Sequence, residues 1–309
     1  MSLRSLHDAG DLHGRVVFLR VDANVPLDDG VITDDGRIRA FLPTLEWLSG
    51  RGAAIVVASH LGRPQGPEDT HLSMAPIAER TAALWAKPVA FVPQVTGQAV
   101  WSAIEALKPG EACFLENLRF DSRETSSDAA HRLELADEWA AHVDVTVVDG
   151  FGVVHRKQAS VYELPSATDS YAGFLVEKEV EVLERLSSRP VEPYAVVLGG
   201  SKVSDKLSVI EALLPRVDRL VIGGGMVFTV LAAAGHAVGK SLLESDYIGT
   251  VQGFLAQAEA LGVEIVLPVD IVMAAEFSPT ADHTTLPVGQ LESGPLGADA
   301  MGLDIGAES

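Results

Sequence analysis

In the run AVVLGGSKVSDK, residues 195–206, an apolar stretch breaks at two glycines and is followed by two lysines. Gly199 and Gly200 permit a tight turn and a close approach of backbone to a ligand. Ser204 reads as the N-cap of a helix in which Leu207, Ile210 and Leu214 recur at helical spacing until Pro215 ends the pattern. Lys202 then belongs to the loop and Lys206 to the first helical turn. Amide dipoles at a helix start and an ammonium group converge on one point, which makes phosphate the expected ligand.

A second set of polar residues falls at or just after the ends of apolar runs in the first half: Asp22, Asn24, Arg37, Arg39, His60, Arg63, Arg119, His155 and Arg156. Each alone is more simply a solvated surface residue. With only 23 Lys and Arg in 309 residues, however, their repeated placement at strand ends is informative. Guanidinium forks bind phosphate and carboxylate bidentately, so the set suits a small, doubly anionic metabolite. No Ser-His-Asp set and no metal-ligand set stands out; His71, His131 and His236 lack ligand-spaced partners and read as surface histidines. The stretch AGHAVGKS, residues 234–241, is one glycine short of a P-loop and follows a helical pattern, so it reads as a turn with an exposed lysine. Cys113, the one cysteine, sits in an apolar run and reads as a buried thiol.

These residues need a scaffold, and the apolar runs supply one. VVFLRVD (16–22), AAIVVASH (53–60), EACFLENL (111–118), VDVTVVDG (143–150), YAVVLGG (194–200), RLVIGGG (219–225) and VEIVLPVD (263–270) alternate with helical patterns. The expected architecture is α/β, with parallel sheets that bind ligands beyond the carboxyl ends of their strands. The length suggests two domains. A charged helix, 174–189, separates residues 1–173 from residues 190–309, and 66–70 and 279–297 read as surface loops. The net charge of −20 divides into −9 before residue 174 and −11 after, and no Lys or Arg follows Lys240. Nucleic acid is therefore not an expected partner. No apolar run is long enough to span a bilayer, and the first residues carry no basic-then-apolar leader, so neither membrane insertion nor export is expected. With a single cysteine, the expected compartment is the cytoplasm.

In order along nearly the whole chain, VDANVPL (21–27), DDGRIRAFLPT (34–44), ASHLGRP (58–64), LENLRF (115–120), GFGVVHR (150–156), AGFLVEKE (172–179), LGGSKVSDK (198–206), GGGM (223–226), LPVD (267–270) and MGLDIG (301–306) resemble the motifs of phosphoglycerate kinases. The resemblance implies two Rossmann-like parallel-sheet domains joined by a helix: 1–173 binding 3-phosphoglycerate, and 190–309 as a partial nucleotide-binding domain. It implies reversible phosphoryl transfer between ATP, with Mg2+, and the carboxylate of 3-phosphoglycerate, in a monomer. By that likeness Asp22, Asn24, Arg37, His60, Arg63, Arg119 and Arg156 bind 3-phosphoglycerate or 1,3-bisphosphoglycerate. Lys202, Lys206, Gly223, Gly224, Gly302 and Leu303 contact ATP or ADP. Arg37 and Lys202 act in catalysis, meeting at the transferring group as the domains close. A carboxylate acceptor is already ionised at neutral pH, which explains the lack of a general base.

The chain departs from the family pattern in several places. The family continues beyond the segment resembling MGLDIG, so the second domain is expected to be incomplete. Gly36 precedes Arg37 in place of a polar residue and is expected to loosen the backbone there. Ala23 replaces a larger residue, Val148 and Gly150 replace Asn and Ala, and Gln158 stands where histidine is common. The alternative reading is a 3-phosphoglycerate-binding paralogue or gene fragment without kinase activity.

Overall fold

The computed structural model describes residues 3–28, 30–188 and 191–309. It divides into two compact units, Met1–Leu183 and Glu184–Ser309. The division falls inside a helix, Phe174–Ser188, where the sequence places its connecting helix 174–189; Arg189 and the following Pro190 lie outside the described residues.

In unit 1 the strands are β1 (Val16–Val21), β2 (Leu27–Asp28), β3 (Val31–Ile32), β4 (Ala54–Ala58), β5 (Val89–Val92), β6 (Ala112–Leu115), β7 (Val145–Asp149) and β8 (Asp169–Ala172). The helices are α1 (Gly36–Gly50), α2 (Ala75–Trp85), α3 (Gln98–Ala106), α4 (Ala129–Ala140), α5 (Leu164–Ala167) and α6 (Phe174–Ser188). Six strands form one parallel sheet in the order β5-β6-β4-β1-β7-β8, and β2 pairs with β3 as a short hairpin. β1 is buried from Val17 to Val21, as a central strand covered on both faces must be. One apolar cluster, including Leu19, Phe41 and Val57, fills one side of the sheet, and another, including Phe18, Leu115 and Trp139, fills the other. Because the strands are parallel, the segments after β1, β4, β6 and β7 emerge along one edge, and these carry Asp22, His60, Arg119 and Arg156.

Unit 2 contains β9 (Ala195–Gly199), α7 (Leu207–Leu213), β10 (Arg219–Gly223), α8 (Val227–Ala233), α9 (Ile248–Leu261), β11 (Glu264–Val266), β12 (Asp270–Ala274), β13 (His283–Pro287) and β14 (Met301–Ile305). The expected parallel sheet has the order β11-β10-β9. A second, antiparallel sheet has the order β13-β12-β14. Two expectations are corrected by it. VEIVLPVD is not one strand: β11 stops before Pro268, which cannot donate to a ladder, and the chain resumes at Asp270 in the other sheet. Residues 279–297 are not all loop, since the alternating HTTLP run forms β13.

Candidate active site

Gly62, just beyond β4, organises the basic region of unit 1. Its N–H donates to Asn24 Oδ1 at 2.8 Å, and its carbonyl accepts from Arg119 Nη1 at 2.6 Å. Its φ is +59°, and a Cβ there would lie 2.9 Å from Leu72, so a side chain would meet both strain and crowding. Asn117, fully buried, fixes the surrounding loops: its Oδ1 accepts from the Leu61 N–H, and its Nδ2 donates to the carbonyls of Leu61 and Leu72. A glycine and a buried amide thus bring segments from β1, β4 and β6 into one frame.

Asp22 and Arg37 form an ion pair, Nη1 to Oδ2 at 2.5 Å, at the start of α1. Gly36, the first residue of α1, donates its N–H to Asp34 Oδ1 at 2.7 Å, which ties down the backbone beside Arg37. Arg39, grouped with Arg37 by sequence, is engaged elsewhere: it pairs with Asp35, which also accepts from Arg80.

A buried polar chain underlies His60. Arg20 Nε donates to Ser160 Oγ at 2.9 Å, Nη1 donates to the carbonyl of Val21, and Nη2 lies 3.2 Å from His60 Nδ1. Ser160 donates its hydroxyl to Glu124 Oε1 at 2.6 Å and its backbone N–H to Oε2 at 3.0 Å. Burial raises the Glu124 pKa, while Arg20 and Ser160 oppose that shift. Burial, followed by the positive charges of Arg20, Arg119, Arg156 and Arg37, pushes the His60 pKa down to about 2. The ring is neutral across the physiological range. Arg20 and Glu124 were missed by sequence reasoning, although a lone arginine inside VVFLRVD was a usable signal.

Arg63, Arg119 and Arg156 line one cavity of about 340 Å3, together with Pro64, Thr125, Lys157 and Gln158. No Asp or Glu is among its lining residues. Burial, followed by repulsion from Arg156, lowers the Arg119 pKa, with Arg63 adding to the repulsion and Glu124 and Asp22 opposing it. Arg119 Nε is buried without a partner among the described residues. A cluster of cations with an unmade donor bond is a place prepared for an anion. Lys157 was also missed; its signal was its position directly after Arg156. His155 accepts from Arg156 Nε at 3.2 Å at the exposed rim.

In unit 2 the lysine loop differs from the sequence reading in one respect. Ser204 does not cap α7: its hydroxyl donates to Glu244 Oε1 at 2.6 Å and its N–H to Oε2 at 3.1 Å. Lys206 takes the N-cap position instead, without a side-chain cap bond. Lys202 is exposed in the loop and contributes to holding the Glu244 carboxyl below its ordinary pKa, behind the larger effect of Ser204. Gly223 ends β10, and Gly224, at φ +66°, turns so close to Gly200 that a Cβ would lie 2.8 Å from the Gly200 nitrogen. The glycine turn and the lysine loop are therefore adjacent, with Lys206 Cε 3.6 Å from where a Gly200 Cβ would stand. Gly302 and Leu303 lie in β14 of the other sheet; Gly302 packs on Phe228 of α8 and donates its N–H to Ser241 Oγ at 2.8 Å.

The phosphoglycerate kinase family model matches residues 6–309. The phosphoglycerate kinase of Leifsonia xyli subsp. xyli is 55% identical over all 309 residues, which cover 77% of that protein. That of Streptomyces avermitilis is 50% identical over 97% of this chain and 75% of its own length. Among solved structures, phosphoglycerate kinase from Coxiella burnetii superposes with a TM-score of 0.79 at 34% identity, covering 99% of this chain and 75% of the other. The Pyrococcus horikoshii enzyme gives 0.79 at 29% identity, with coverage of 99% and 76%. The chain therefore belongs to the phosphoglycerate kinase family, whose members are phosphotransferases.

Proposed function

We propose that the chain transfers a phosphoryl group reversibly between ATP and the carboxylate of 3-phosphoglycerate, a step of glycolysis and gluconeogenesis. Asp22, Asn24, Arg37, His60, Arg63, Arg119 and Arg156 hold the sugar acid. Lys202, Lys206, Gly223, Gly224, Gly302 and Leu303 contact the nucleotide. The observation that carries the reading is the acid-free cavity lined by Arg63, Arg119 and Arg156 beyond the parallel strands of unit 1.

The acceptor oxygen is anionic at neutral pH and attacks without a general base. The chain's task is positioning and positive charge: Arg37 and Lys202 stabilise the charge spread over the transferring group. His60, neutral, can donate from Nε2 without adding to the repulsion among the arginines. Mg2+ keeps several waters and commonly binds substrate phosphates, so it would arrive on the nucleotide; the glycine turn and lysine loop suit phosphate oxygens. Among the described residues, no group of three or more His, Cys, Asp or Glu gathers as a metal cage.

In this reading residues 1–173 form the 3-phosphoglycerate domain, 174–189 the connecting helix and 190–309 the nucleotide domain. The enzyme works in the cytoplasm as a monomer on small metabolites, with no nucleic-acid or membrane partner. Its net charge of −20 supports the first exclusion, and among the described residues no helix is long and apolar enough to cross a membrane. The test is ATP formation from ADP and 1,3-bisphosphoglycerate with Mg2+. Turnover that disappears with Arg37→Ala supports the reading. Tight binding of 3-phosphoglycerate with no transfer in either direction would favour a binding paralogue instead.

A further inference from the structure

Residues 238–244, VGKSLLE, lie between α8 and α9 and touch, one after another, the three elements assigned to the nucleotide. Ser241 is buried; its Oγ accepts the Gly302 N–H of β14 at 2.8 Å, and the Lys240 N–H donates to the Ala300 carbonyl just before that strand at 2.9 Å. Leu242 packs on the glycine turn, its Cδ2 3.1 Å from where a Gly225 Cβ would stand. Glu244 holds the lysine loop. Its Oε1 accepts the Ser204 hydroxyl at 2.6 Å and its Oε2 the Ser204 N–H at 3.1 Å. Its own N–H donates to Oγ1 of Thr229, buried in α8, at 3.1 Å, so the bracing group is itself anchored. Ser204 stands two residues after Lys202 and two before Lys206. One carboxylate therefore fixes the middle of the loop.

The charge of Glu244 makes this placement informative. A loop that receives the phosphates of ADP or ATP needs positive charge, and a carboxylate near Lys202 opposes it. The Ser204 hydroxyl, helped by the Ser204 and Val203 N–H groups and by Lys202 and opposed by burial, holds the carboxyl below its ordinary pKa, so the group is ionised at neutral pH. What it supplies in return is two charge-assisted hydrogen bonds to one serine. We propose that Glu244 is a positioning residue for phosphoryl transfer: through Ser204 it holds the backbone carrying Lys202 and Lys206 in the shape that receives the nucleotide phosphates. Ser241 holds Gly302 in the same way. The proposal rests on the reading that these lysines and Gly302 contact ADP or ATP. A loop already held in its binding shape loses less conformational entropy when the nucleotide arrives, and that gain outweighs the repulsion from one carboxylate.

The test is calorimetric titration of ADP with Mg2+ into the full chain and its Glu244→Ala, Glu244→Gln, Ser204→Ala and Lys206→Ala variants, with thermal melting of each recorded first. A glutamine can keep both contacts without the charge: Oε1 accepts the Ser204 N–H, and Nε2 donates to the Ser204 hydroxyl, which accepts as well as donates. Glu244→Ala is expected to bind ADP roughly tenfold more weakly, the effect of losing hydrogen bonds to a charged group, with affinity for 3-phosphoglycerate unchanged. Glu244→Gln is expected to bind ADP at least as tightly as wild type. Ser204→Ala loses the hydroxyl contact alone; it is expected to weaken ADP binding roughly threefold and stands in if Glu244→Ala does not fold. A purely structural loss would lower the fraction of chains that bind and leave the affinity of the rest unchanged. Wild-type ADP affinity in Glu244→Ala and Ser204→Ala, or a Glu244→Gln as weak as Glu244→Ala, with Lys206→Ala impaired, would overturn the proposal and leave the nucleotide reading intact. Unchanged affinity in Lys206→Ala, or no ADP binding by the wild type, would overturn both.

Discussion

Arg20 Nη2 lies 3.2 Å from His60 Nδ1. A guanidinium can only donate, so Nδ1 accepts, the imidazole is neutral, and its single proton sits on Nε2. His60 thus occupies an arginine cluster without joining its charge.

This relationship has a pH consequence. In the unfolded chain His60 takes up a proton near pH 6.5; in the folded protein burial and neighbouring arginines hold its pKa down to about 2. Its stabilising contribution is complete above pH 6.5 and is lost as pH falls through the window towards 2. Urea unfolding at pH 7.5 and pH 5 should show a larger loss on acidification for wild type than for His60→Gln. Equal losses would contradict the assignment.

Asp149 has the opposite dependence. Burial raises its carboxyl to about 6, partly opposed by hydrogen bonds from Thr44 and from the Leu175 and Val176 N–H groups at the start of α6. The folded state keeps the proton longer than the unfolded one, so stability falls as pH rises from about 4 to 6. Asp149→Asn removes that slope. Its stability relative to wild type should rise by up to roughly 3 kcal/mol between pH 4 and pH 7, measured by chemical denaturation.

Glu124 is fully buried and joined through Ser160 to Arg20. Removing one partner leaves the other charge uncompensated in the interior. Glu124→Ala is therefore expected to destabilise unit 1 by about 3–5 kcal/mol, read from the denaturation midpoint. A cost below 1 kcal/mol would show that the network contributes little.

Arg37 differs because its side chain is half exposed and its pairing with Asp22 is a surface contact, worth little to folding. Arg37→Ala should leave the melting temperature unchanged. If the residue stabilises transferring charge, kcat should fall by a factor corresponding to about 2.7–4 kcal/mol, with a small effect on KM.

Much of the fold was legible because its cause is local. The strand runs of unit 1 are continuous apolar stretches, and β1, β4 and β7 form where they were expected. The antiparallel strands of unit 2 were not, since β13 is a half-exposed run inside a Gly- and Pro-rich segment. Individual charges were readable at strand ends, but their partners depend on folding. Ser204 turned to Glu244, and Arg20 became the support of His60, because residues distant in sequence were brought beside them, whereas Arg39 turned to Asp35 one helical turn away. Gln158 was visible only as a departure from a family pattern; its burial in a cationic cavity required coordinates.

The assignment of the cationic cavity of unit 1 can be decided by titrating 3-phosphoglycerate into wild type, Arg63→Ala and Arg156→Ala at low and high salt. Both variants should bind at least tenfold more weakly, with a smaller salt dependence than wild type, as expected when a charged contact to the ligand is removed. Wild-type affinity in both variants, at either salt concentration, would place the ligand elsewhere.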